Sequence, residues 1–569
     1  MKAIRRSVSA CLLGAIFVAA PALAQFSGPG EAIPPAPADL IIEDAHVLTP
    51  DGWVDAMAVS GGTIVALGGA DAVARHRTAD TRIVKLGGRT VLPGLHDMHV
   101  HPMGAGLAHV ACAIPHGSTP GAIFARVAEC AKGKAPGEWI SGNGYEASSF
   151  GATPPNRQML DKVAPNNPAL FFDISGHSSW VNSAALKLAG IDHNTPDPAG
   201  GIIERDASGE PTGLLRERAA ALVWTKMPPP TREQNAAALQ WALATLLAQG
   251  ITAFEDAGVG EKGALAYADL ADKGLLKQRV RGCLMWTDPT VLPKRNLYAR
   301  DRFTPSCVKM FLDGVPTDGH TAAMVEDYLP LPNAVHGDGR EKGLLLVPQA
   351  KLDAEVTRLD AMGMTVKFHA AGDGAVRAAL DAIAAARRAN GFSGLLHNPG
   401  HNSFIQPVDI ARARALGATF EFSPYIWYPS PIIGDIKKAV GEERMKRWIP
   451  VKEVLDAGVA SVPGSDWPVT PSSNPWVAME TLVTRQVPGG GGEILGAAER
   501  ITLKQAFDMF TRQSANQLYL GQSTGTLETG KRADFVVVDR DIFAVPITQV
   551  GQTKVLMTYI DGEKVYSVP

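Results

Sequence analysis

The sequence predicts an α/β fold: a distorted (β/α)8 barrel of the TIM type, with a small β-sandwich formed from both termini and an inserted α+β subdomain. Three observations lead there. An apolar segment, Val91 to Leu95, runs into His99-Val100-His101, and on a strand two residues separated by one share a face. From Thr231 onward apolar strands alternate with helical stretches, and polar residues stand where several of the strands end. The flanks 39–90 and 521–569 share one texture, short apolar runs broken by Gly, Asp and Pro, so two β-rich ends enclose a long centre.

Taken in chain order, residues 1–24 read as a secretory signal peptide. Lys2, Arg5 and Arg6 precede an apolar run from Val8 to Ala20, and Ala22-Leu23-Ala24 offers a small-residue cleavage site before Gln25. The run is too short to span a bilayer comfortably, so the mature form is expected without a membrane anchor and exported, periplasmic or secreted. Residues 25–90 open with a Pro/Ala-rich linker (Gly28 to Pro37) and continue as the N-terminal part of the sandwich; residues 91–102 hold the first barrel strand. Residues 103–230 break the strand–helix rhythm and are too long for a loop, hence the inserted subdomain, expected over the barrel mouth. Residues 231–520 supply the rest of the barrel. Thr231 to Gln249 is a helix, with Thr231 and Gln234 as its capping box and Gly250 as terminator. Strands follow at Gly250–Phe254, Val280–Met285, Cys307–Leu312, Met364–Phe368, Gly394–Leu396, Ala418–Phe422 and Val459–Val462, eight with the one before His99. Helices at Leu352–Met362, Ala375–Ala389 and Val451–Ala457 fall between them. Residues 521–569 complete the sandwich. A doubly wound open sheet is the alternative for the same alternation.

Composition narrows the function classes. The 569 residues are 46% hydrophobic and 20% charged, as in a globular protein. Of 54 basic residues three lie in the leader, which leaves 51 against 57 acidic groups; nothing there suits a nucleic acid or an anionic membrane. The expected partner is a small-molecule substrate, and a homo-oligomer is left open. Cys112, Cys130, Cys283 and Cys307 remain after the leader, with no Cys-x-x-Cys pair for a thiolate zinc site; Cys112 with Cys130 is the favoured disulfide because both lie in one segment.

In a barrel the C-terminal strand ends form one face, where residues distant in sequence converge. His99 and His101 close the first strand, Lys309 sits in Cys307–Leu312, His369 ends Met364–Phe368, His401 lies in His397-Asn398-Pro399-Gly400-His401, and Asp466 follows Pro463-Gly464-Ser465. Singly, each has a plain structural explanation: a hydrogen-bonded histidine, a salt-bridged lysine, a turn-capping aspartate. Jointly they fit one architecture in order. No Gly-x-Ser-x-Gly elbow supports serine catalysis, and Gly489–Gly492 matches no phosphate loop.

The segment Pro93-Gly94-Leu95-His96-Asp97-Met98-His99-Val100-His101 resembles the first-strand signature of the amidohydrolase superfamily. The chain is similar, over nearly its whole mature length, to the amidohydrolase-3 branch that holds N-substituted formamide deformylases. The resemblance includes His177–Leu186, Gly200–Asp206, Pro211–Leu215, Lys309 with Asp313-Gly314, His369–Asp373 and Gly464–Pro468. It implies that His99, His101, Lys309, His369, His401 and Asp466 hold two divalent metal ions, with Lys309 carbamylated and bridging them; the imidazole and carboxylate-like oxygen donors suit zinc, and manganese and iron share such ligands. It further implies that Asp466 is the catalytic general base and that a metal-activated hydroxide attacks a non-peptide C–N bond, in an amide or cyclic amide. One departure stands out: the sixth-strand motif usually reads Glu-His-Ala, and here it is Gly400-His401-Asn402. Glu217 is the competing anionic ligand should Lys309 be unmodified. His177, His320 and Trp467 are candidates for substrate contact. An esterase or lactonase on the same scaffold is the rival within catalysis, and a non-catalytic binding or sensor protein the rival outside it.

Overall fold

The structure is a computed structural model. It describes residues 35–568 except 116, 152, 174–177, 199–200, 317–319, 331–340 and 424–430, together with the side chains at 148, 217, 218 and 431. The expected leader and His177 lie outside the described residues.

Eight parallel strands form a nearly closed barrel: Leu95–Val100, Ile251–Val259, Arg279–Met285, Phe303–Phe311, Thr365–Ala370, Asn398–His401, Phe420–Phe422 and Ser461–Pro463, each paired with its sequence neighbour. Four are buried along their whole length and the other four over most of it, as expected of strands covered on both faces. The first and eighth strands share no continuous ladder. Their seam is closed by Asp466 N–H donating to His99 O (2.6 Å) and His101 N–H donating to Trp467 O (2.9 Å). The Asp97 carboxylate accepts from Ser465 N–H at 3.0 Å across the same seam. The loop bearing Asp466 is thus stitched to the His-x-His strand.

Helix Arg232–Ala248 starts with the expected Thr231–Gln234 capping box and buries Leu239, Leu243 and Leu246. Gly250 follows at φ 86°, and a Cβ there would stand 2.9 Å from Val536 Cγ1. The sixth strand differs from expectation. It is Asn398–His401, whereas Gly394–Leu396 lies outside the sheet. Gly394 has φ 73° and Leu396 N–H is taken by the Tyr519 hydroxyl, whereas Asn398 to His401 register against Lys367 to Ala370. Pro399 and Gly400 are poor strand formers, but between the fifth and seventh strands tertiary pairing decides.

The flanks build one sheet, ordered Glu563–Ser567, Val555–Ile560, Phe535–Val538, Arg82–Pro93, Leu40–Thr49, Ala56–Ser60 and Thr63–Gly68, with Gly52–Val54 added to Leu40–Thr49. It curls around a common core of Leu40, Val47, Met57, Val91, Phe535 and Tyr559, the sandwich anticipated from the two termini. Its central strand, Arg82–Pro93, passes through Gly94 alone into the first barrel strand; a Cβ on Gly94 would meet Thr252 Oγ1 at 2.4 Å. Arg279 of the third barrel strand reaches Asp534 and Asp561, clamping sandwich to barrel.

Within residues 103–230 a second sheet runs Gly201–Arg205, Pro211–Glu217, Ser178–Val181, Ala169–Asp173 and Ile140–Tyr145. It has its own apolar clusters, one around Trp180, Phe171 and Ile123 and another around Leu170, Leu186 and Leu215. Helix Pro102–Val110 leads into it, with Gly106 against the backbone of Ala238. Among the described residues no helix is long and apolar enough to cross a membrane.

Cys112 is bonded to Cys130, as expected, and Cys283 to Cys307. The second bond joins residues that face each other across the third and fourth barrel strands, a pairing that sequence spacing does not reveal. Alkylation of denatured, unreduced protein, read by peptide mass spectrometry, should leave all four unmodified; labelling of Cys283 and Cys307 would refute the second bond.

Candidate metal centre

The strand-end residues converge. His99 Nε2 and His101 Nε2 lie 3.5 and 3.2 Å from the same oxygen, Asp466 Oδ1. Lys309 Nζ is 3.0 Å from His99 Nε2. The His401 ring stands 4.6 Å from that of His99 and 4.5 Å from that of His369. All six sequence-predicted ligands are therefore drawn to one end of the barrel, through direct contact or a shared neighbour.

Three of the histidines are oriented from behind. Glu421 Oε2 accepts from His99 Nδ1–H at 2.6 Å. Asp313 Oδ1 accepts from His369 Nδ1–H at 2.9 Å, and the same carboxylate takes the backbone N–H groups of Ala323, Ala371 and Gly372. His401 Nδ1 pairs with Ser423 Oγ at 3.0 Å. With Nδ1 engaged, Nε2 of each ring carries the ligand lone pair. Asp97 Oδ1 accepts from His99 N–H, fixing the main chain beneath the first imidazole.

Electrostatics favour the ligand forms. Burial holds His99 well below the ordinary histidine range, reinforced by the Lys309 amine, and burial with His369 does the same to His401. Both rings stay neutral at pH 7. Burial, aided by the nearby Lys367 ammonium, brings Lys309 down to about 7. Burial raises Glu421 to about 7 against the pull of Lys367. His99 and His401 as neutral imidazoles, with His101, His369, the Asp466 carboxylate and a lysine that loses its proton near neutrality, form a donor set that fits a divalent ion such as zinc. A second grouping, Glu255 with Cys283 and Cys307, offers no thiolate because its cysteines are bonded to each other.

Backbone conformation is unusual at the same place. His401, Asn402 and Asp466 have φ of 71°, 47° and 57°. Such left-handed residues cost about 1–3 kcal/mol each and need outside support. Asn402 Nδ2 supplies it by donating to Pro399 O and Glu421 O, and the Asp466 N–H bond to His99 supplies it in the seam. The departure at Gly400 has a steric cause: a Cβ would sit 2.4 Å from Glu421 Oε2. Space before His401 belongs to a carboxylate from the seventh strand.

The other candidates are placed differently. Trp467 pairs with Val100 as an isolated bridge, and its ring stands 5.9 Å from Trp241, which stacks on His109. His320 stacks on Tyr328 with ring centres 4.2 Å apart, on the loop after the fourth strand. Glu217 ends a strand of the inserted sheet opposite Gly201. Glu421, Asp313 and Ser423 were missed as supports. A detectable signal existed for the first: a glutamate between Phe420 and Phe422 must face the barrel interior if the phenylalanines face out.

The chain is 31% identical to N-substituted formamide deformylase of Arthrobacter pascens over 541 residues, 92% of this chain and 97% of that one. It is 29% identical to Protein LONG AFTER FAR-RED 3 of Arabidopsis thaliana, covering 93% and 92%. The fold matches a crystal structure of a metal-dependent hydrolase from Pyrococcus furiosus with TM-score 0.71 and 24% identity, covering 88% of this chain and 99% of that one. Residues 82–566 match the amidohydrolase family. Sequence and barrel agree, and the chain belongs to the amidohydrolase family, hydrolases that act on carbon–nitrogen bonds.

Proposed function

We propose that this protein is an exported amidohydrolase that cleaves the C–N bond of a small, largely uncharged N-acyl amine or cyclic amide. The observation that carries the reading is the meeting of His99, His101 and Lys309 with Asp466, beside His401 and His369. These six residues would hold two divalent ions, zinc by their chemistry, and when bound the ions supply Lewis acidity toward water and toward a carbonyl oxygen. The 31% identical deformylase supports an N-formyl or related N-acyl amine as the substrate class.

Lys309 enters as a carbamate. Its uncharged nitrogen adds to the carbon of CO2, the N–C bond forms as one C–O π bond opens, and the displaced proton goes to water. A cationic ammonium could not ligate a metal, whereas the carbamate of Lys309 would offer anionic oxygen to the ions held by these residues. Asp466 accepts the proton of the attacking water and delivers it to the departing amine nitrogen, which leaves poorly unless protonated. His99 and His401, tied at Nδ1, hold their rings still while Asp466 changes protonation state.

Two measurements test the reading. Turnover on matched N-formyl or N-acetyl amines and the corresponding esters should show amide cleavage that chelator abolishes and zinc restores; cleavage of the esters alone would replace this reading by an esterase. N-terminal sequencing of the exported protein should begin at Gln25; an intact Met1 would remove the export claim.

A further inference from the structure

Beneath the ligand histidines the barrel interior is ionic. TIM-barrel interiors are filled mainly by branched aliphatic side chains. Here the second strand contributes Glu255, the third Arg281, the fifth Lys367 and the seventh Glu421, all buried. Lys367 Nζ lies 3.0 Å from Glu255 Oε1 and 3.7 Å from Glu421 Oε2. Arg281 Nε faces the other oxygen of Glu255 at 3.5 Å. The lysine contacts are ion pairs rather than aligned hydrogen bonds, since Lys367 Nζ and both Glu255 oxygens lack a well-directed partner.

Burying these charges costs several kcal/mol per ion before pairing, and apolar residues of similar volume often serve stability as well or better. Stability alone therefore gives no reason for the cluster, whereas its connections do. Glu421 Oε2 holds His99 Nδ1, and Glu421 Oε1 accepts from the Ser423 hydroxyl, whose oxygen meets His401 Nδ1. One carboxylate thus sets two candidate ligand rings. It is confined by steric exclusion too: Cβ atoms on Gly400 and Gly464 would lie 2.4 and 2.7 Å from its oxygens. Lys367 is the cation nearest that carboxylate, and Glu255, anchored by Arg281, fixes the lysine from the opposite wall.

We propose that Lys367 and Glu255 are positioning residues: a chain of ion pairs across the barrel, Glu255 to Lys367 to Glu421, holds the imidazoles of His99 and His401 in the geometry that binds metal. Lys367 is not itself a ligand. It stands directly opposite Lys309 in the register of the fourth and fifth strands, so two lysines face one interior with separate tasks, one at the imidazole and one between carboxylates. The inference rests on the proposal that these histidines hold zinc.

The test is a double-mutant cycle read in zinc affinity of the full chain, by competition with a chelator of known affinity. Lys367→Met and Glu421→Gln should each weaken zinc by about 10–100-fold, the range for outer-shell partners of metal ligands. Because one acts through the other, the double variant should lose no more than about threefold beyond the weaker-binding single variant; independent effects would multiply. Singles with wild-type affinity, or a double whose losses multiply, would overturn the proposal. Glu255→Gln keeps volume, lies three links from His99 and serves if Lys367→Met fails to fold. It should weaken zinc several-fold while the melting temperature of chelator-treated protein stays within a few degrees of wild type. Unchanged zinc affinity in Glu255→Gln would also overturn it. If wild-type protein binds no zinc, the metal assignment fails; if it binds zinc and the variants do too, only the relay fails.

Discussion

Asp466→Asn should fold as the wild type does and lose kcat by ~10²–10⁴-fold, the range for a removed acid–base group. Asparagine tolerates the left-handed backbone at position 466, keeps the N–H that closes the barrel seam onto His99, and nearly keeps the volume. What it loses is the capacity to take a proton from water and pass it to the leaving nitrogen. KM should change less than kcat, because the loss falls on the transition state. A variant that hydrolysed amides at the wild-type rate across neutral pH would end this mechanism, since no other described carboxylate reaches both His99 Nε2 and His101 Nε2.

Lys309→Ala should reduce bound zinc from two ions per chain to one or fewer and lower kcat by ~10²-fold or more, the loss of several kcal/mol of charge stabilisation. The side chain is buried, so the variant leaves a small polar cavity beside His99. A short carboxylic acid fits such a space and offers two oxygens. Partial recovery of activity with added acetate or propionate, absent in wild type, would mark the missing group as a carbamate rather than an amine. Metal analysis with full occupancy and an unchanged rate would make Lys309 structural and turn attention to Glu217.

How much of this is legible in the chain depends on the period of each signal. His99 and His101 announce themselves because a strand's period of two puts both on one face, and the barrel then orders Lys309, His369, His401 and Asp466. Lys367 hides in the same pattern: it stands two residues before His369, on the same face, yet in Thr365-Val366-Lys367-Phe368 it reads as a strand interruption. Glu421 is masked likewise by Phe420 and Phe422. The sixth strand lies beyond the segment the apolar pattern predicts because Gly394-Leu395-Leu396 looks more apolar than Asn398-Pro399-Gly400, whose pairing comes from its neighbours. Neither Asp313's four hydrogen bonds nor the Cys283–Cys307 bond could be inferred from spacing, because both depend on how close adjacent segments lie.

The central strand of the terminal sheet carries a consequence for how the molecule is made. Arg82–Pro93 pairs on one side with Leu40–Thr49, which precedes it in the chain, and on the other with Phe535–Val538, synthesised more than 400 residues after it. At about 5–20 residues per second, the second neighbour arrives roughly 20–90 s after Arg82–Pro93 itself. For that interval the strand that runs into His99 has an open edge, the kind that templates pairing with other chains. Nascent chains stalled before residue 535 should therefore be held by chaperones or aggregate, whereas chains extended past residue 567 can close the sheet and with it join Leu40–Thr49 and Phe535–Val538 through one shared strand.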